Sequence, residues 1–533
     1  MAGENPYNTK KSITFAPIID DTMRRQGVFF ILLMVWAAIA QAQMEVRLEA
    51  QSTTSDGDHT PLWLNANRYG LSSLEKTNGY VRAGLFRDEQ QDSSRLLRWG
   101  IGVDVAATKG FTSDMVLQQA YGEVGFWKAL LTVGSKEQPM ELKNKELSTG
   151  SQTLGVNARP VPSVRLSLPD YWTIPGTRGW IGVKGHLSYG VTTDDEWQRD
   201  FTDEQTRYTE HTWLHTKAGF MRVGKPGKPL SVELGLEMAA QFGGTSFLQT
   251  NSTELSSVKN EGGLKGMWHA LLPSGYESIE KDIEYKNIGG NHLGSWLVRV
   301  NYDTEGWGAS IYADHFFEDQ SQMFHLDFDG YGSGEEWDKW KDDDWLVYDL
   351  RDILLGAEMR FKHSRWVNNV VAEFMYTKYQ SGPVYHDHTR HLSDHIGGND
   401  NYYNHVVFTG WQHWGQVIGN PLYRSPLYND DGRILVEDNR FWAWHLAATG
   451  TPFDGWSYRV LSTWQRGFGT YDKPLVSPRR NMSFLAEVGY CFPEKAMLAG
   501  WSVKGALGMD RGGLLGDNVG LQLTIGKTLK IER

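Results

Sequence analysis

Between Gly397 and Pro426 the chain reads GGNDNYYNHVVFTGWQHWGQVIGNPLYRSP, a segment dense in amides, a carboxylate and flat rings. Trp and Tyr lie well against the C–H faces of sugar rings, and Asn, Asp and Gln can bond the hydroxyls. Tyr402, Tyr403, Trp411 and Trp414 are therefore stacking candidates, with Asn399, Asp400 and Gln416 as hydroxyl partners. The competing reading is structural, since long loops are also polar and aromatic in order to fold on themselves.

Other clusters carry less. His386, His388, His391 and His395, with His405 and His413 further on, are metal-binding types, but the run holds Asp and Ser and lacks the apolar stripe that would fix a helix. Hydrolysis needs a nucleophile with a positioned base, or paired carboxylates. The chain has no G-x-S-x-G elbow and no H-E-x-x-H, and no Gly-Lys-Ser/Thr ends the glycine-rich Gly512–Gly516. Asp342-Asp343-Asp344 and Asp194-Asp195-Glu196 read as solvated charge runs that offer at most weak calcium sites. No catalytic residue, metal or cofactor is assigned. In NARPVP, from Asn157 to Pro162, two prolines cannot both donate in a central ladder, which predicts a loop or an inward fold. Arg159 and Arg165 would then project into a lumen, where pairing with wall acids competes with binding anionic sugar groups.

The elements that would hold these residues have a period of two. Alternating segments run from Glu45–Gln51 through Tyr80–Phe86, Met115–Phe126 and Ala129–Ser135 to Phe441–Gly450 and Gly520–Thr528. They number about 18, many near the roughly 9–11 residues of a tilted membrane-crossing strand. A mean hydropathy of -0.46 alongside 13% aromatic residues fits a wall that alternates lipid-facing and lumen-facing positions. The expected fold is an all-β transmembrane antiparallel barrel with few short helices, against a soluble sandwich array or propeller.

Ahead of this lies Met23-Arg24-Arg25, then GVFFILLMVWAAIAQAQ, a basic, apolar and small-residue succession that reads as a secretory signal over residues 1–42, with an over-extended start. The barrel would occupy 43–533. Net charge is -11, which argues against nucleic acid as a partner, and the single cysteine, Cys491, excludes a disulfide within one chain. Short turns at Pro226-Gly227, Glu305-Gly306, Asp454-Gly455 and Asp510–Gly513 would mark a periplasmic rim. Insertions near 243–294, 318–352 and 380–440 would face outward. In the second, Trp337, Trp340, Trp345 and Tyr348 are spaced like one face of a short helix, either a solvated lid or a lumen plug.

PLWLNANRYG at Pro61–Gly70, LSTGSQTLGVNARPVPSVRLSLPDY at Leu147–Tyr171 and the segment from Gly397 onward resemble the Wzi-type capsule assembly family, in its Bacteroidetes-like form. The resemblance covers essentially the whole mature chain. It implies a Gram-negative outer-membrane barrel with a small periplasmic helical element, acting as a lectin-like, non-enzymatic anchor for exported capsular polysaccharide. Capsular or exopolysaccharide, outer-membrane lipid and the barrel-insertion machinery are the expected partners. A porin-like solute channel and an outer-membrane hydrolase are the alternatives.

Overall fold

The computed structural model describes residues 43–531, apart from 93–94, 250–254, 273–289, most of 319–351 and most of 381–399. Eighteen strands make one closed antiparallel sheet. They are β1 (Met44–Asp56), β2 (Thr77–Arg87), β3 (Leu97–Lys109), β4 (Met115–Phe126), β5 (Ala129–Ser135), β6 (Ser163–Thr173), β7 (Ile181–Val191), β8 (Trp213–Val223) and β9 (Leu230–Phe242). The second half comprises β10 (Asn291–Asp303), β11 (Trp307–Phe317), β12 (Ile353–Phe361), β13 (Asn369–Tyr376), β14 (Phe441–Gly450), β15 (Trp456–Gly469), β16 (Pro474–Cys491), β17 (Trp501–Gly512) and β18 (Asn518–Ile531). Each strand pairs with its sequence neighbour, and β18 returns to β1 in register from Met44↔Ile531 to Asp56↔Val519. Closure leaves no edge to template another chain.

Alternation sets the two faces of this wall. On β18, Val519, Leu521, Leu523 and Ile525 are 45%, 59%, 50% and 39% exposed, while Gln522 between them is 6% exposed and donates inward to Thr53 Oγ1. Apolar side chains outside and hydrogen-bonded polar ones inside suit a wall whose outer solvent is lipid.

The connections are unequal at the two ends. Those after even-numbered strands are short, down to Trp127-Lys128, where Trp127 takes a left-handed φ of 52° to close a two-residue hairpin. Exposed rings gather at that end, including Trp127, Trp180, Trp307, Trp366 and Trp501, as at a membrane–water interface. Connections after odd-numbered strands include all the long ones, at 57–76, 136–162, 192–212, 243–290, 318–352 and 377–440. Three of the four expected rim turns lie at the short-turn end. The fourth, Asp510–Gly513, lies at the opposite end between β17 and β18, because brevity alone does not reveal the parity of the strand it follows.

Among the described residues, the short-turn end carries a single helical turn, Glu89–Asp92, in place of the periplasmic helical element the resemblance implies. Trp340 pairs as a short strand with Tyr331. Trp337, Trp345, Tyr348, Asp342–Asp344 and the histidines at 386, 388, 391 and 395 lie outside the described residues, as do the signal segment 1–42 and Asn399.

Candidate functional site

Three long connections turn back into the barrel and fill it. In 57–76, the turn Leu62–Asn65 is wholly buried; Leu62 N donates to Asp510 Oδ2 at 3.0 Å and Trp63 Nε1 to Thr463 Oγ1 at 3.0 Å. Segment 136–162 is bound by polar wall residues. Glu373 of β13 accepts from Ser148 Oγ at 2.5 Å, Thr149 N at 2.8 Å, Thr149 Oγ1 at 2.7 Å and Tyr312 Oη at 2.6 Å. Asp314 of β11 accepts from Lys143 Nζ at 2.7 Å and Gln152 N at 3.1 Å, and His445 of β14 faces Leu147 O through Nε2 at 2.8 Å. Glu373→Gln keeps the shape but removes the charge from four hydrogen bonds, so a loss of roughly 1.5–3 kcal/mol is expected. It would be read as a lower temperature at which the barrel loses its compact gel mobility.

The third connection, 377–440, carries the aromatic segment into the same interior. Tyr402, Tyr403 and Trp411 are 0% exposed and Gln416 is 3% exposed. Tyr403 lies with its ring 4.0 Å from Tyr423 and donates through its hydroxyl to Gln152 O. Trp411 Nε1 donates to Thr153 O at 2.9 Å, and Gln416 Nε2 donates to Ser72 Oγ at 3.0 Å. These contacts tie 377–440 to 136–162 and 57–76. Both faces of the rings are covered, so as folded Tyr402, Tyr403, Trp411 and Gln416 are plug core and not a surface on which a sugar can stack. The composition that suits a sugar also suits a polar, ring-filled interior, which is why the sequence does not separate the two.

Trp414 differs. It is half-buried, with the Arg159 guanidinium 4.4 Å from its ring centre. Asp400, partly exposed, bonds through its N–H to Gln380 O. Asp194, expected to be solvated, is fully buried and accepts from Gln412 Nε2 and Trp414 N, both at 3.1 Å; Asp195 begins the helix Asp195–Thr202, whose Trp197 clusters with Trp414 and Leu427 of 377–440. His413 bonds Arg159 O through Nδ1 at 2.9 Å, and His405 accepts from Val407 N and Phe408 N, so both have loop-building partners.

NARPVP folds inward as expected. Arg159 donates to Thr112 Oγ1 at 2.7 Å and Ser113 Oγ at 3.1 Å, so these hydrogen bonds go to hydroxyls and not to wall acids. Arg165, on β6, faces the lumen, where two adjoining cavities of about 140 and 230 Å³ share it with Lys136, Glu141 and His186 as lining. Both lie between plug and wall and are partly open.

Outside the plug, at the long-loop end, a cleft of about 320 Å³ opens between 424–438 and the turns 470–475 and Leu514. Three cations line it. Arg424 is held by Glu437 at 3.0 Å and Asn429 at 2.6 Å, whereas Lys473 and Arg479 are exposed. Facing them is Asp438, whose carboxyl burial raises to about 7 against the pull of the Gly469 and Phe468 backbone N–H groups and of Arg424 and Arg479. The three cations outnumber the two lining acids, Glu437 and Asp438, so the cleft is net basic. Sequence reading missed this site, because its residues come from three separate connections and form no motif.

No protein-family model matches the chain, and no curated protein does. Among solved structures, Wzi of Escherichia coli, an outer-membrane protein involved in group 1 capsule assembly and a carbohydrate-binding β-barrel, superposes with a TM-score of 0.54 at 14% identity, over 95% of this chain and 88% of that one. The fold is similar to that of Wzi. OccK5 (OpdH) of Pseudomonas aeruginosa superposes with a TM-score of 0.45 at 9% identity, over 92% of this chain and 98% of that one. What Wzi shares with this chain is an eighteen-stranded closed barrel, a property of the wall; at this identity nothing about the plug or the cleft transfers from Wzi.

Proposed function

We propose that the protein is a non-enzymatic outer-membrane barrel that holds exported capsular or extracellular polysaccharide at the surface of a Gram-negative cell. The observation that carries this reading is the plugged lumen: three connections hydrogen-bonded to one another and to the wall occupy much of the space a solute channel would need. The ring-lined short-turn end then faces the periplasm and the basic cleft faces outward. The Wzi barrel binds carbohydrate, which supports the same role for a similar fold.

Contact with the polymer is assigned to the outer surface. Lys473 and Arg479 meet acidic groups there, and Trp414 and Asp400 are, among the described glycan candidates, those still open enough to contribute. Tyr402, Tyr403, Trp411 and Gln416 contribute by fixing the plug.

A deletion strain is expected to release capsule into the medium, and the wild-type gene to restore retention. Lys473→Glu with Arg479→Glu should leave the barrel folded but fail to restore it, and binding of purified protein to an anionic polysaccharide should weaken with added salt as charges are screened. Release equal to that of the parent strain, together with no polysaccharide binding, would overturn the reading. A stable open level in planar bilayers would favour a channel instead.

A further inference from the structure

The helix Gly263–Leu271, within the connection between β9 and β10, packs against β8 and β9. Its seat is defined by strand alternation. Ser188, Leu214, Thr216 and Glu237 line the lumenal cavity, so Tyr189, Trp213, His215, Lys217, Ala240 and Phe242 point outward from the same strands. The pairings Tyr189↔His215 and His215↔Ala240 place three of them in one outward row. The helix covers this patch. Ala270 is buried with Ala240 and Phe242 beside Tyr189 and Trp213, and Tyr189 Oη donates to Met267 O at 2.9 Å. Lys217, a charge on the outer face of the wall, donates to the helix C-terminal carbonyl of Ala270 at 3.2 Å and also to Leu271 O. A cation there meets the negative end of the helix and is half-buried beneath it.

The other sides of the helix divide in two. With about 100° between successive residues, Leu264 and Trp268 form one stripe turned away from the wall, and Leu272, the extended residue that ends the helix, follows them. They are 85%, 57% and 49% exposed. Beside the stripe runs a polar flank in which Glu261 holds Lys265 Nζ at 2.9 Å and His269 Nδ1 at 3.3 Å. A buried side, an apolar side and a charged flank are the parts of a helix lying at a membrane–water boundary.

Strand length decides whether that boundary reaches the helix. β8 has 11 residues. At ~3.4 Å per residue and a tilt of ~40° that is about 28 Å, close to the ~25 Å apolar band such barrels present. Without the covered positions 213–217, the remainder of β8 would reach only about 15 Å across it. The covered patch therefore falls within the membrane's thickness.

We propose that Gly263–Leu271 is a lipid-contacting helix, laid on the outside of the barrel with Leu264, Trp268 and Leu272 in the leaflet at the long-loop end. The inference rests on the outer-membrane reading above. Its occupant is lipid acyl chain, because Leu234 of β9 and Val298 of β10, further along the same outer face, are exposed apolar positions of the wall.

The test uses the mature chain in phospholipid vesicles, with Cys491→Ser as background and a nitroxide placed in turn through Leu264→Cys, Trp268→Cys, Lys265→Cys and, on the bare wall, Leu523→Cys. Compact gel mobility checks that each variant is folded. Labels at 264 and 268 are expected to be relaxed by oxygen and shielded from a water-soluble nickel chelate, like the label at 523, with the preference reversed at 265. Chelate access at 264 and 268 equal to that at 265 would put the stripe in water and overturn the proposal. Access to neither reagent would put a second protein or another copy over it and overturn it equally. Chelate access at 523 would overturn the membrane reading itself, so the two failures are distinguishable.

Discussion

Lys143→Ala is expected to raise the conductance of the barrel well above that of the parent protein. Lys143 and Asp314 are 1% and 0% exposed, with Nζ 2.7 Å from Oδ2, and Lys143 also reaches Ser151 Oγ at 3.3 Å. Truncation leaves Asp314 as a buried carboxylate whose cation is gone, a change that costs about 3–5 kcal/mol. The wall cannot relieve this, since Asp314 belongs to β11 and is fixed by its ladder to β10 and β12. The cheaper response is for 136–162 to leave the lumen and admit water. Current steps in planar bilayers and protease cleavage within 136–162 would record it. Asp314→Ala combined with Lys143→Ala removes both charges and should recover much of the seal, since the coupling between contacting residues is not additive. A silent single mutant with unchanged protease protection would show that the pair does not hold the plug.

Gly419→Val should block plug assembly by steric means instead of electrostatic ones. A Cβ at Gly419 would lie 2.0 Å from Tyr403 Oη and 2.2 Å from Gln152 O. Neither neighbour can yield cheaply. Tyr403 Oη accepts from Asn420 N at 3.0 Å while donating to Gln152 O, and its ring is flanked by Tyr423 at 4.0 Å and Phe316 at 5.6 Å. Overpacking plus a lost buried hydrogen bond amounts to roughly 2–4 kcal/mol. Loss of compact gel mobility or appearance of bilayer current is the expected readout. Gly505→Ala, where an added Cβ meets nothing within 4 Å, should leave both unchanged. A folded, silent Gly419→Val protein would mean that 377–440 and 136–162 are not packed as closely as described.

The wall of this protein was legible because its physics is local. A strand such as β18 writes its two environments into alternate residues, and a β4–β5 hairpin with two residues between strands leaves little choice of register. Strand existence and barrel closure follow from that repetition, and so does the inward course of Asn157–Pro162, since prolines cannot donate to a ladder. The plug obeys no such local rule. Glu373, Asp314 and His445 occupy inward positions that any water-filled lumen would also make polar, and only the fold shows that they grip Ser148, Lys143 and Leu147. Likewise, Asn, Gln, Trp and Tyr between Gly397 and Pro426 offer the same hydrogen bonds and ring faces to a sugar as to each other. Which partner they meet depends on segments some 250 residues away, as when Tyr403 reaches Gln152. The sequence thus determined a wall of about eighteen strands through short-range alternation, whereas the plugged interior, the basic cleft and the helix on the outer face were decided by long-range contacts that leave no period in the chain.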